Sequence, residues 1–230
     1  MNASKTNQEK LINVGIRNFQ ISLEGDEQMH NQYRITRENM STFNLIYNNL
    51  LTFHKSTLEG DIMVRLHVNA DNLGSMEALI TKISEDFRED KRFTLFIRTL
   101  SRQGGKNDAN LPVINDKVLS DEAVKRLQIK ASSLGLKLNH NSFGDGYVCY
   151  AAIFNSLAIR STREISKCTV ALYDEKNMTG RLSEDGKITI NKDKLEHWVR
   201  GQFSHNKMEL NCPYMSSSLR NLSNTKRSRV

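Results

Sequence analysis

The chain has 230 residues, 38% of them apolar and 26% charged, enough for one large domain or for a medium domain with a small one beside it. Three cysteines are too few for a secreted disulfide framework, and no run approaches the roughly 18 apolar residues of a membrane helix, so a soluble, cytoplasmic protein without membrane attachment is expected. The net charge of +7 invites an anionic partner, but Arg220, Lys226, Arg227 and Arg229 crowd one terminal stretch, and no zinc-finger spacing, RNP-like motif or aromatic-interleaved basic stripe supports nucleic acid.

Residues 5–14 have the pattern of a helix closed by Gly15, and "RNFQISL" then alternates Phe19, Ile21 and Leu23 against Gln20 and Ser22, the period of a strand. After a polar segment over 24–40, Ser41 is expected to cap a helix whose Phe43, Ile46, Tyr47, Leu50 and Leu51 share a face. The pattern recurs: "DIMVRLHVN" predicts a strand, 73–89 a helix with Met76, Leu79, Ile80, Ile83 and Phe87 on one side, and "RFTLFIRTL" a further strand. Strands separated by helices predict successive βα units and a parallel sheet.

The faces of these strands are unequal. In "IMVRLHVN" Ile62, Val64, Leu66 and Val68 alternate with Met63, Arg65, His67 and Asn69, whereas strands covered by helices on both sides are apolar throughout. A barrel with a polar lumen would receive Gln20, Ser22, Glu24, Arg65, His67 and Asn69; edge strands with one solvated face would satisfy the same pattern, and both alternatives are open at this point.

Residues 99–118 look like a loop, Ser120 is placed to cap a helix running to about 134, and "GLKLN" predicts a last short strand. Beyond Gly144 the character changes. "CYAAIFNSLAIRS", "EISKCTVALYDEKN" and "GKITIN" read as short strands between turns and "KDKLEHWVR" as a short helix with Trp198 as a core anchor, so a domain boundary is expected near 140. No P-loop, dinucleotide fingerprint or nucleophile elbow occurs, and His54, His140, His197 and His205 lack partners at metal-ligand spacing.

Several of these stretches converge on one family. "GIRNFQISLEGDEQMHNQYR" resembles the radical S-adenosylmethionine enzymes, with their Ser-x-Asp-Gly strand end and His-(Asp/Asn)-x-x-Arg loop; Glu24 stands where Asp is usual. "STFNLIYNNLL", "VRLHVNADN", with His67 where Asn is common, and "DKRFTLFIRTLSRQGG" continue the resemblance over 15–104. The remainder looks like the family's SPASM accessory domain: "CYAAIFNSLAIRSTREISKC", with Arg163 at a position that is glycine in the family, then "NMTGRLSEDGKITIN", "LEHWVRG" and "ELNC" in the same order.

The resemblance implies an α/β fold with a partial TIM-like (β/α) barrel over 1–140, a degenerate SPASM-like α+β domain over 141–215, and a basic, disordered tail over 216–230. It further implies S-adenosylmethionine and [4Fe–4S] clusters as cofactors and a peptide or protein as substrate. Ser22 and Arg34 match positions near the nucleoside of the cofactor, Arg65 and Asn69 join them as cofactor-binding candidates, and Arg65, His67 and Asn69 match the lumen wall where substrate lies; each could equally serve structure alone. Glu24 and His30 are by default helix-capping or loop-bonding residues.

Cys149, Cys168 and Cys212 match accessory-cluster ligands, yet Met215 and Asn221 stand where further cysteines follow in the family, and three buried, reduced thiols are the competing reading. The Cys-x3-Cys-x2-Cys loop that anchors the radical-generating cluster has no match in the chain. The chain by itself is therefore expected to be catalytically incompetent, completed by an N-terminal half encoded separately. The alternative is a non-catalytic remnant or peptide- or protein-binding module.

Overall fold

The computed structural model describes residues 3–102, 108–139 and 147–216. They belong to two compact units, the first holding residues 3–102 and 108–139 and the second residues 147–216. The tail expected over 216–230 lies, except for Ser216, outside the described residues.

In the first unit, helix α1 (Ala3–Asn13) precedes strand β1 (Asn18–Leu23), followed by α2 (Glu27–Tyr33), α3 (Phe43–His54), β2 (Asp61–Val68), α4 (Leu73–Phe87), β3 (Phe93–Thr99) and α5 (Lys117–Ser133). The three strands form one parallel sheet in the order β1-β2-β3. The protein is thus a mixed α/β fold, and among the described residues the sheet does not close on itself.

Period-two alternation divides the sheet cleanly. Leu23, Leu66 and Ile97 form one row across the three strands, and with Val64 and Leu95 they are buried against Phe43, Tyr47 and Leu50 of α3, Met76, Leu79 and Ile83 of α4, and Leu127 of α5. Each such side chain contributes roughly 1.5–3 kcal/mol by leaving water. The opposite face carries the row Ser22, Arg65, Phe96 and the row His67, Arg98.

The expected "GLKLN" strand is reduced to one parallel bridge. Leu95 N–H donates to Lys137 O at 2.9 Å, and Asn139 N–H returns a bond to Leu95 O at 2.7 Å. Both expected N-caps are displaced. Ser41 pairs with Ile35 in an isolated bridge, and the first amides of α3, those of Thr42 and Phe43, are taken by Asn31 Oδ1 of α2 at 3.0 Å each. α5 begins at Lys117 under Asp116, whose carboxylate accepts from Leu119 N at 3.0 Å, while Ser120 Oγ donates to Thr99 Oγ1. At α5 a tertiary partner claims the hydroxyl that local sequence offered as a cap, and at α3 a side-chain amide from α2 takes over the capping role.

The second unit holds a small antiparallel sheet in the order β4 (Ala158–Ile159), β5 (Glu164–Ser166), β6 (Met178–Leu182), β7 (Ile188–Ile190), followed by α6 (Lys192–Val199), α7 (Gly201–Ser204) and α8 (Lys207–Asn211). Trp198 is its anchor: 1% exposed, it donates from its indole to Lys176 O at 2.9 Å and stacks on Tyr214. The first expected strand, "CYAAIFNSLAIRS", is instead a 3-10 turn over Tyr150–Ala152 with strand only at β4, because the Cys149 N–H is drawn to Leu210 O of α8. No helix among the described residues is long and apolar enough to cross a membrane.

Candidate functional site

The carboxyl end of β1 gathers the polar residues of the first unit. Gly25, at φ +128°, bends the chain off the strand, and Asp26 starts α2 by accepting from Met29 N at 3.0 Å. The bend leaves Glu24 over the polar face beside His67. Arg34, at the end of α2, donates from Nε and Nη2 to Glu24 Oε1 at 2.8 and 2.6 Å, and His67 Nδ1 donates to the same oxygen at 3.1 Å. Burial by itself would raise the Glu24 carboxyl, but the bonds and charges of His67 and Arg34 outweigh it and hold the group below its ordinary value.

His30 is fully buried beneath this pair. Its Nδ1 accepts the Glu24 backbone N–H at 3.2 Å, which makes Nε2 the donor to Thr42 Oγ1 at 3.1 Å, and Thr42 passes its own proton to Arg34 O at 2.6 Å. Burial, with Arg34 nearby, lowers the imidazole pKa and favours that neutral tautomer. His30 is therefore the bolt of the strand-end loop, and Glu24 is the charge that positions Arg34.

Asn72 was not singled out from sequence, yet it holds the site together. Fully buried, it donates to Glu24 O at 3.0 Å and His67 O at 2.9 Å and accepts from Asn69 N at 2.8 Å, locking the ends of β1 and β2. Its only sequence signal was an amide just after an apolar strand. Asn69, a cofactor candidate, is likewise buried and its side-chain oxygen accepts from Asp71 N at 2.9 Å, so that oxygen is engaged in the turn after β2.

The remaining cofactor candidates separate. Ser22 and Arg34 line one cavity of about 510 Å³ along the outer edge of β1, together with Gln20 and the apolar Phe19, Ile46 and Leu50. Arg65 lies outside that lining, on the polar sheet face with Arg98.

In the second unit Cys149, Cys168 and Cys212 are brought to one end. Burial pushes the Cys149 thiol up, and the neighbouring Cys212 and Cys168 push in the same direction. Asn177, also missed from sequence, fixes the second of them: its side chain accepts from Lys167 N and Cys168 N at 3.0 and 2.8 Å and donates to Cys168 O at 2.7 Å. Lys167 is buried beside them, its ammonium pulled down to about 8 by burial and held by the carbonyls of Ile153 and Ser156. Among the described residues no three His, Cys, Asp or Glu side chains converge as a metal site, and three thiols fall short of the four of an ordinary iron–sulfur cube. As they stand they do not fit such a cluster.

The turn between β4 and β5 carries a further feature. Arg163, the residue aligned with a glycine in the resemblance, adopts φ +65°, the left-handed conformation in which glycine is the unstrained choice.

No protein-family model matches the chain, and no curated protein matches it.

Proposed function

We propose that the chain works within a radical S-adenosylmethionine/SPASM system acting on peptides or proteins, as a partial (β/α) barrel wall with a degenerate SPASM-like unit. The observation that carries this reading is the shared cavity: Ser22 and Arg34, the two residues whose motif positions correspond to nucleoside contacts, line the same space of about 510 Å³. The left-handed Arg163 gives separate support from the second unit.

The bound cofactor, with a reduced [4Fe–4S] cluster, would supply a 5′-deoxyadenosyl radical. What this chain contributes is binding and orientation. Glu24, itself bonded by His67, holds the Arg34 guanidinium at the rim, the Ser22 hydroxyl offers a donor and acceptor in the same cavity, and the Asn72 amide keeps the two strand ends in step. With three cysteines at positions 149, 168 and 212 and no Cys-x3-Cys-x2-Cys run, these residues do not initiate the radical, and thiolates from outside these 230 residues would have to do so.

Calorimetric titration of the purified chain with S-adenosylmethionine and S-adenosylhomocysteine tests the reading. Saturable binding is expected, weakened about tenfold by Arg34→Ala and less by Ser22→Ala, the scale of one charged and one neutral hydrogen bond. Heat of dilution alone, or affinity indifferent to Arg34, would remove it.

One observation favours a second reading, a non-catalytic peptide- or protein-binding module. The outer edge of β1 has no strand partner among the described residues, and an exposed parallel edge beside an apolar cavity is a template for an added strand. A monodisperse monomer that unfolds in one cooperative step and takes up no extended peptide would count against it.

A further inference from the structure

The polar face of the β1–β2–β3 sheet carries more positive charge than it neutralises. Arg65 and Arg98 project from adjacent strands on that face, one register step apart, since Arg65 pairs with Phe96 and His67 with Arg98. Arg65 lies within electrostatic reach of two further guanidiniums, Arg98 and Arg34, and of one carboxylate, Glu24. That carboxylate is already engaged by Arg34 and His67. Arg65 Nε is buried and has no hydrogen-bond partner, and no hydrogen bond or ion pair joins Arg98 to another described residue. A buried guanidinium N–H without an acceptor is costly, the more so because the group is charged, and the crowding of like charges adds to that. Both costs vanish if an anion sits between the two forks, whose planar donors match carboxylate and phosphate oxygens.

We propose that this face holds an oxyanion, the carboxylate or phosphate group of a bound ligand, between the guanidiniums of Arg65 and Arg98. The site is separate from the cavity at Ser22 and Arg34, whose lining includes neither residue. Calling the ligand a substrate rests on the function proposed above; its being an oxyanion does not. Burial and the adjacent Arg98 already depress the Arg65 pKa, the direction that an incoming anion would reverse.

The side-chain Nε–H resonance of Arg65, assigned by its disappearance in Arg65→Lys, reports on the site directly. Sodium phosphate and sodium glutarate are titrated separately into the full chain at constant ionic strength, with chloride as the reference anion. At least one of the two is expected to shift that resonance saturably, chloride is not, and Arg98→Gln is expected to weaken the response about tenfold, as for one charge-assisted bond pair. Arg126→Gln, an exposed residue paired with Glu77, should leave it unchanged. Response to phosphate alone identifies a phosphate ligand, and response to glutarate alone a carboxylate. If Arg98→Gln does not fold, Arg98→Lys replaces it, with a smaller weakening expected. A resonance that follows chloride equally, does not move, or is indifferent to Arg98 overturns the site. S-adenosylmethionine titrated in parallel separates the outcomes, because oxyanion binding without cofactor binding keeps this site and removes only the reading above.

Discussion

Asp90 and Arg92 stand where α3 ends, and between them they satisfy a cluster of carbonyls that the helix leaves open. Arg92 donates to the backbone oxygens of His54, Ser56 and Leu58 at 2.9, 3.1 and 2.8 Å, and lies over the Phe53 ring. Asp90, its side chain 9% exposed, binds Arg92 and His54, and chiefly the Arg92 bond holds its carboxyl down to about 2 from 3.8. A depressed carboxylate stabilises the fold fully above its unfolded value and loses that contribution as pH falls through the folded one. Asp90→Asn should therefore lower the unfolding free energy at neutral pH by about 2 kcal/mol and flatten the loss of stability between about pH 4 and pH 2. Urea unfolding across that range checks it, and an unchanged acid limb would refute the assignment. Glu24 acts by the same rule with a different consequence. Its partner Arg34 is 45% exposed and its pair is correspondingly screened, so its carboxylate matters more for aiming the guanidinium than for holding the fold.

At the scale of elements, two turns decide geometry that strands and helices only extend. Gly25 joins β1 to α2 at φ +128°, and a Cβ there would lie 2.4 Å from Ser75 Oγ, the atom that accepts from Asp26 N. Gly25→Ala is expected to cost about 3 kcal/mol from backbone strain and contact together. Combining it with Ser75→Ala should recover only the contact, which thermal unfolding of the single and double variants resolves. Arg163 presents the inverse case. Its backbone bonds, Arg163 N–H to Arg160 O and Leu182 N–H to Arg163 O, would survive in glycine, and what the arginine side chain adds against the strain is an exposed pair with Glu184 at 2.8 Å, a kind of pair that contributes little. Arg163→Gly should raise stability by about 1 kcal/mol; a fall would show that the ion pair outweighs the strain. Neither turn was legible at its proper weight. The α2 helix, only seven residues long, was hidden in what reads as a polar segment, because its cap, Asp26, is set by the bend before it rather than by apolar periodicity.

For the whole molecule, the proposed division of labour makes a direct statement about chemistry. Reconstituted anaerobically with iron, sulfide and reductant, the chain alone should release no 5′-deoxyadenosine from S-adenosylmethionine, as chromatography of the products would show; release of it would end the view that this chain binds without initiating. The βα order, the apolar faces of α3 and α4 and the positions of β1, β2 and β3 were determined by the sequence itself, because periodicity is local and burial of Leu66 or Met76 needs only the right face. Which polar groups meet was decided only by the tertiary structure. Glu24 reaches Arg34 and His67, Asn72 reaches back to Glu24, and Arg65 is set beside Arg98 through strand register and loop closure between residues far apart in the chain. Ser120, which locally suits a helix start, yielded to Thr99 of β3, a partner that exists only once the sheet has formed, and Ser41 yielded to Asn31 of α2. A hydrogen bond is specified by two groups, and a sequence read in order supplies one of them at a time.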